Sequence, residues 1–386
     1  MDMIEILGIT IGILGAMGYL LLCLWLVKVW RDCPDTAIPS DFRPATRISV
    51  LIPARNEEAG IATCVSSVLQ QDYPPQLLEV VVIDDYSEDK TASIVKGFQD
   101  DRLKLIHLAE YAAGMQHRAF KKQALSVGLQ ASVGSLIVQT DADCVAPPGW
   151  LREIAFLWEN NGAECILGPV HFRENENLLG RFQALEMTGM MLVTAALAFA
   201  GKPFLANGAN LAYSRKAFER VGGFSGQTHL ASGDDIMLVH KIGKVFPGRV
   251  TFSKSRNVAV ETSVQPDWAS FVAQRTRWAT KTGNYAKRSM TLVLGGIFLF
   301  CTFVVTIVLI GLILGSYTLC LIGISSLLAK ALADYYLLSE ACRYYQREHL
   351  LHRFWITEML HLFYMVLMGV LGLTRRTYNW KGRRVQ

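Results

Sequence analysis

Three groups of aspartates offer this chain its clearest chemistry: Asp84-Asp85, Asp141-Ala142-Asp143 and Asp234-Asp235. Two carboxylates one residue apart after a strand can turn toward a single divalent ion. Mg2+ and Mn2+ bind through one or two such carboxylates plus substrate phosphates, which makes a nucleoside diphosphate the natural third party. The same residues have plainer uses. Loop aspartates cap turns, and Asp234-Asp235, just ahead of the apolar run from Ile236 to Ile242, reads equally as an N-cap pair.

The surrounding sequence supplies elements able to aim these side chains. Between Arg47 and about Asn284, short β-branched runs alternate with helix-like stretches, the signature of βαβ units in an α/β domain. Ile48–Ile52, Val80–Ile83 and Leu136–Thr140 read as buried strands, and Leu103–Leu108 as an edge strand. Ile61–Leu69 and Thr91–Phe98 read as helices. The acidic groups follow strands directly, and in open α/β sheets ligands bind beyond the carboxyl ends of strands.

The two ends of the chain are of another kind. Hydrophobic residues make up 51% of the 386 residues and charged residues only 18%, an apolar excess for a soluble enzyme. From Ile6 to Val27 no charge occurs, enough for a span of about 20 residues. Lys28 and Arg31 follow it, placing the next segment in the cytoplasm. A cleavable leader is disfavoured by the length of the run and the lack of a cleavage site. A second uncharged stretch lies between Arg288 and Lys330, with Gly311, Gly315 and Ser316 as turn formers, and reads as two helices. Phe354–Thr374 is a third candidate but carries Glu358 and His361, costly in lipid. A third crossing would also put Arg375, Arg376, Lys381, Arg383 and Arg384 outside, so an interfacial or re-entrant segment is expected there. Met187–Ala200 is apolar but short, and reads as an interfacial or core helix. The expected division is 1–31 membrane anchor, 32–46 linker, 47–285 cytoplasmic domain and 286–386 membrane region with a basic tail. Pro34, Pro39 and Pro44 mark the linker as a flexible joint.

Several function classes drop out. Eight scattered cysteines form no C-x-x-C pair, so neither a zinc site nor a disulfide framework is indicated. A net charge of +5 suits anionic headgroups, and nothing resembles a nucleic-acid-binding module. No internal repeat suggests a transporter. His107, His117, His171, His229 and His240 show no ligand spacing, although His229 is within conceivable reach of an acceptor.

Further motifs accompany the aspartates: P-A-R-N-E-E at 53–58, V-I-D-D-Y-S at 82–87, K-K-Q-A-L-S-V-G at 121–128, A-N-G-A-N at 206–210, G-G-F at 222–224, S-G-D-D-I-M-L at 232–238 and Q-R-T-R-W at 274–278. In that order they resemble the inverting family 2 glycosyltransferases of the GT-A fold, a Rossmann-like mixed sheet that binds nucleotide-diphospho-sugars, here flanked by transmembrane helices. The resemblance implies that Pro53, Ala54, Asn56 and Glu57 line the nucleoside pocket, that Asp84 or Asp85 bonds the base, and that Lys121 and Asp141 lie near the diphosphate. It implies Asp141 and Asp143 for a divalent cation (Mg2+ or Mn2+) and Asp235, beside Asp234, as catalytic base. Such a base takes the acceptor's hydroxyl proton, a role worth roughly 10²–10⁴-fold. Asp234 replaces the family's usual Glu and Lys241 its usual Arg. Gln274, Arg277 and Trp278 match Q-x-x-R-W, with Arg suited to clamp a diphosphate and Trp to face a sugar; Trp278 reads equally as an interfacial anchor with Trp268 and Phe271. Gly208, Ala209 and Trp278 would border the acceptor. Lys281, Lys287 and Arg288 read as headgroup-facing charges.

The resemblance therefore implies a metal-dependent hexosyltransferase, integral to a plasma or inner membrane with its catalytic domain on the cytoplasmic side. A UDP-sugar is the expected donor and a membrane lipid the expected acceptor, giving a β-linked product. Two alternatives are a processive polysaccharide synthase of poly-N-acetylglucosamine or glucan type, with partner subunits, and a non-catalytic nucleotide-sugar-binding subunit.

Overall fold

The structure is a computed structural model that describes residues 3–111, 120–173, 177–225, 233–279, 288–374, 378–380 and 383–385. His117, His229, Ser232, Lys281, Lys287, Arg375, Arg376 and Lys381, singled out above, lie outside these residues, as do the side chains of Arg288, Arg383 and Arg384. The first half runs α1 (Met3–Asp32), β1 (Ile48–Ala54), α2 (Ile61–Leu69), β2 (Leu78–Asp84), α3 (Thr91–Lys96), β3 (Leu103–His107), α4 (Phe120–Ala131), β4 (Leu136–Gln139), α5 (Trp150–Asn161), β5 (Cys165–Leu167), β6 (Val170–Phe172) and α6 (Leu178–Phe199). There follow β7 (Leu211–Ser214), α7 (Arg215–Arg220), α8 (Asp234–Val245), β8 (Val250–Phe252), β9 (Val260–Thr262), α9 (Trp268–Ala279), α10 (Arg288–Leu314), α11 (Tyr317–Tyr345), α12 (Phe354–Thr374), β10 (Tyr378–Trp380) and β11 (Arg383–Val385). The chain forms two compact units. One is helical, from 1–32, 175–192 and 265–376; the other contains the main sheet, from 33–174, 193–264 and 377–386.

The sheet unit is built on β1, β2 and β4, whose Val, Ile and Leu side chains are almost wholly buried. Covering both faces of a sheet requires such continuous apolar runs. Strand order is β3-β2-β1-β4-β7-β5-β8. The first four are parallel, while β7 runs against both neighbours, which makes the sheet mixed. The expected strands and helices up to Leu136–Thr140 all appear, with β3 at the edge. Because β2 and β4 flank β1 on opposite sides, the order reverses there, and the crevice beyond the carboxyl ends of β1 and β4 is where such sheets bind ligands. Helix α4 packs on β1 and β2: a Cβ at Gly128 would come within 2.6 Å of Ile83 Cδ1, so glycine eases this close approach. That approach fixes where Lys121, in the first turn of α4, is delivered.

The segment expected to be a flexible linker is instead pinned to the sheet unit. Lys254 donates to the Cys33 carbonyl at 2.7 Å, and Arg152 donates to the carbonyls of Ser40 and Phe42. Glu159 accepts from the Ala45 and Thr46 amides, and Tyr73 donates to the Thr46 carbonyl. The three prolines stiffen a strap that these polar contacts hold in one path.

In the helical unit, α1 and α11 pack through small residues. Gly8 faces Leu319 and Ile322, and Gly12 faces Ile322 and Ser326, with Ser326 Oγ only 3.0 Å from where a Cβ would lie. Such spacing lets helix backbones approach in an apolar environment. Between α10 and α11 the chain turns at Gly315 (φ 65°), and Ser316 caps α11 through the Leu319 amide. Helix α11 continues through Lys330 to Tyr345 because the charge is met inside the unit. Lys330 Nζ lies 2.6 Å from both Asp334 Oδ2 and Glu358 Oε1 and 3.2 Å from His361 Nδ1. Tyr19 donates to the other oxygen of Asp334. The two residues that made Phe354–Thr374 look costly in lipid thus face protein. Helix α12 packs on α10 and α9: Leu362 packs on Phe300, Cys301 and Val304, Gly369 meets Phe298 and Gly372 meets Ala279. Helix α6 is apolar but mostly buried, as expected of a core helix. Among the described residues α1, α6, α10, α11 and α12 are long and apolar enough to cross a membrane.

Candidate active site

The site grows from strand tips. After β4, Asp141 enters a turn in which Cys144 N–H donates to the Asp141 carbonyl, and the Cys64 thiol donates to the same oxygen from α2 below. Asp143 is held by Thr262 at the end of β9, whose hydroxyl donates to Asp143 Oδ2 at 3.1 Å. Both carboxylates are only partly buried. Burial, together with the charges of Asp143 and Asp141, pushes the thiols of Cys64 and Cys144 well above the ordinary range, so both remain neutral packing groups.

Lys121 forms the hub. Its ammonium donates to Asp141 Oδ1 at 2.6 Å and lies 4.0 Å from Asp234 Oδ2. Burial works against its charge, but Asp141, Asp234 and Asp235 together raise its pKa, and it is charged at any physiological pH. Asp234 and Asp235 occupy the first turn of α8. Its N-cap is Gly233 (φ 88°), with no side-chain cap, so neither aspartate is the N-cap itself, although both place negative charge in the first turn, where a helix N-terminus favours it. Asp234 is buried and accepts from Gln139 Nε2 at 3.4 Å. Asp235 is partly exposed, with Oδ2 accepting from the Gly208 amide at 3.1 Å and Oδ1 from the Ile236 amide. Of the two, Asp235 is the more open to an incoming hydroxyl.

Gly208 sits at the centre of this crowding. A Cβ there would lie 2.8 Å from Gln139 Nε2 and 3.3 Å from Lys121 Nζ. The loop that carries it is fixed from beneath: Thr140 donates to the Ala209 carbonyl, and Asn207 accepts from the Ala209 amide. Buried Asn210 accepts from Trp150 Nε1 and donates to the carbonyls of Pro169 and Val258. Lys241, where the family pattern has Arg, donates to the carbonyls of Gly223 and Ser225. It thereby holds the G-G-F turn, and burial lowers its pKa.

At the other strand tips, Pro53 and Ala54 end β1, and Asp85 N–H donates to the Ala54 carbonyl. Asn56 takes a positive φ of 51°, and its side chain accepts from the Glu88 amide. The Glu57 amide donates to Thr91, and Arg55 donates to the Asp85 and Tyr86 carbonyls. Asn56 and Glu57 therefore hold two loops together, and neither caps α2, whose N-cap is Gly60. Asp84 accepts from the Ser87 amide and pairs with His107 Nδ1 at 3.2 Å.

Gln274, Arg277 and Trp278 lie on α9 in the helical unit, all partly buried. Sequence reasoning passed over Gln139, Thr140 and Thr262, and gave Asn210 no role beyond its place in A-N-G-A-N. Gln139 carried a usable signal, as a polar residue inside an otherwise apolar strand directly before Asp141; nothing local marked Thr262.

A profile for "Glycosyl transferase family group 2" matches residues 136–371, more than half of the chain, and one for "Glycosyl transferase family 2" matches residues 49–222. The chain belongs to the family 2 glycosyltransferases. It is 27% identical over 261 residues to the "Probable glycosyltransferase YdaM" of Bacillus subtilis, covering 66% of this chain and 57% of that one. It is 26% identical over 279 residues to the "Beta-monoglucosyldiacylglycerol synthase" of Synechocystis, covering 69% and 54%. The match thus spans little more than half the length of these relatives. Among solved structures, the mannosyltransferase PcManGT of Pyrobaculum calidifontis, in complex with GDP-Man and Mn2+, superposes with a TM-score of 0.57 at 22% identity, over 94% of this chain and 99% of that one. The GT-A fold is common to both.

The described side chains also suit a divalent cation. Asp141 and Asp143 leave the end of β4 one residue apart and partly exposed, and Asp141 meets the Lys121 ammonium, which the charges of Asp234 and Asp235 also stabilise. An oxygen-only, net negative donor set is what Mg2+ and Mn2+ prefer.

Proposed function

We propose that this chain transfers a sugar from a UDP-sugar to a hydroxyl of a membrane lipid, with inversion to a β-linked product. The observation that carries the reading is the convergence of Asp141, Asp234 and Asp235 on Lys121 beyond the carboxyl ends of β1 and β4. Asp235 takes the proton of the acceptor hydroxyl as that oxygen bonds to the anomeric carbon, while the bond from that carbon to the diphosphate breaks. Asp234, held by Gln139 and facing Lys121, keeps α8 in register for this transfer. Lys121 offers fixed positive charge to the departing diphosphate, a role in which preorganisation matters more than contact strength. Asp141 and Asp143 would hold a divalent cation, which when bound supplies further charge against the leaving group; the Mn2+ in the PcManGT complex supports this assignment. Gln274, Arg277 and Trp278 are assigned to donor or acceptor handling by their match to Q-x-x-R-W alone.

The relative named "Beta-monoglucosyldiacylglycerol synthase" and the long apolar helices favour a lipid acceptor. Lys28 and Arg31 in the last turns of α1 favour a cytoplasmic sheet unit. The test is mass spectrometry of products from membranes incubated with UDP-sugars, GDP-mannose, Mn2+ or Mg2+ and total lipid extract, with Asp235→Asn as control. One lipid gaining a single hexose from a UDP-sugar, abolished in Asp235→Asn and by EDTA, is the expected result. A ladder of sugars would replace this reading with polymer synthesis, and transfer from GDP-mannose alone would overturn the donor assignment. Absence of product with every donor would favour a binding subunit.

A further inference from the structure

Arg275 is the second residue of Q-R-T-R-W and is not one of the positions the motif specifies, yet it is the most deeply buried cation of α9, 1% exposed. A buried guanidinium is costly unless its charge is compensated. Here Nη2 donates to Glu186 Oε2 on α6 at 2.5 Å, and Nη1 donates to Gln274 Oε1 at 3.1 Å. Its plane lies against two aromatic rings: the guanidinium carbon is 4.1 Å from the centre of the Trp278 ring and 5.0 Å from that of Phe271. Phe271 is in turn packed by Phe182 and Tyr364, from α6 and α12. One side chain therefore touches both Gln274 and Trp278, and it is itself tied to a helix outside the motif.

We propose that Arg275, anchored by Glu186, is a positioning residue that sets the side chains of Gln274 and Trp278 for sugar transfer. The functional part rests on the reading of Gln274 and Trp278 as transfer residues; the positioning part does not. A flat, delocalised cation can stack on indole and hydrogen-bond along its edge at once, which an ammonium cannot. The guanidinium thus fixes the tilt of Trp278 and the rotamer of Gln274 with a single group. Small displacements of such residues are expensive, since a shift of about 1 Å caused by a substitution away from the chemistry can cost roughly 100-fold in rate.

Two measurements on the full chain in detergent micelles test this. The first needs no substrate: the protein is labelled with 5-fluorotryptophan, and the Trp278 resonance is assigned from its disappearance in Trp278→Phe. Arg275→Met, Arg275→Lys and Glu186→Gln are each expected to move the Trp278 resonance while leaving those of Trp150 and Trp355 in place. Glu186→Gln is the variant least prone to misfold, since Gln still offers an acceptor. An unmoved Trp278 resonance in folded Arg275→Lys and Glu186→Gln overturns the proposal. The second uses the UDP-sugar that turns over in the product assay. Arg275→Met is expected to lower kcat/KM by about 10- to 100-fold, through kcat more than KM, and Arg275→Lys less so. In a Trp278→Ala background the further loss should be under about twofold, because both changes remove one arrangement. Full kcat/KM in Arg275→Met overturns the functional part when Gln274→Ala and Trp278→Ala are impaired. Full activity in those two variants, together with a moved Trp278 resonance, instead removes the transfer role of the motif and leaves the positioning geometry intact.

Discussion

Replacing Lys330 should show how the helical unit tolerates charge. Its ammonium is fully buried, with Asp334 and Glu358 each 2.6 Å away. At an effective dielectric constant of about 20, each contact is worth about 6 kcal/mol of gross attraction. Most of that offsets the loss of hydration, so the net value of the cluster is far smaller. Lys330→Met removes the cation and leaves two buried carboxylates facing one another. Breaking a buried pair in this way costs about 3–5 kcal/mol. The triple variant Lys330→Met/Asp334→Asn/Glu358→Gln removes every charge while keeping an oxygen acceptor for Tyr19, and should regain most of the loss. The assay is equilibrium unfolding in mixed micelles with increasing SDS, followed by tryptophan fluorescence. A triple variant no more stable than Lys330→Met would refute the reasoning, because it would show that the ammonium's contacts, not uncompensated charge, decide stability.

Asp235→Asn should lower kcat by about 10²–10⁴-fold with a donor KM little changed, as steady-state kinetics would show; a loss confined to KM contradicts the base assignment. Gly208→Ala should fold normally but lose about tenfold in kcat/KM, because its Cβ would press on Gln139 and Lys121, and thermal melting beside kinetics separates the two effects. Glu79 is buried, which alone would raise its pKa, but Lys104, Ser49 and the Val133 amide hold it below the ordinary value of 4.5. Its contribution is therefore present at neutral pH and lost as pH falls through its lowered folded-state pKa. Glu79→Gln should cost about 1–3 kcal/mol near pH 7 and nothing at acid extremes, which denaturation of the two proteins across pH 2–7 would check.

The elements that position the site were largely legible because each has a local signature. β1, β2 and β4 are continuous apolar runs, and the aspartates follow them directly. What was not legible depends on contacts between residues far apart in sequence. Asn56 was expected only as a pocket residue; its bond to the Glu88 amide could not be foreseen because it requires two loops to meet. The strap at 32–46 looked flexible because prolines and polar residues mark linkers; Lys254, Arg152 and Glu159, which hold it, lie more than 100 residues away. Phe354–Thr374 looked costly in lipid because Glu358 and His361 were read without Lys330 opposite them. The resemblance already put the base at Asp235; what it did not carry was the burial of Asp234 against Gln139.

The bond from Tyr19 to Asp334 joins residues 315 apart in sequence. At about 5–20 residues per second of synthesis, α1 emerges roughly 15–60 s before the residue it will bond. On the proposed membrane placement, α1 waits that long in lipid with Gly8 and Gly12 unpacked and the Tyr19 hydroxyl without Asp334, while the whole sheet unit is made. During that interval the glycine face is open to the wrong helix. Assembly of the helical unit is therefore the step at which a cell short of insertion chaperones should lose this protein first.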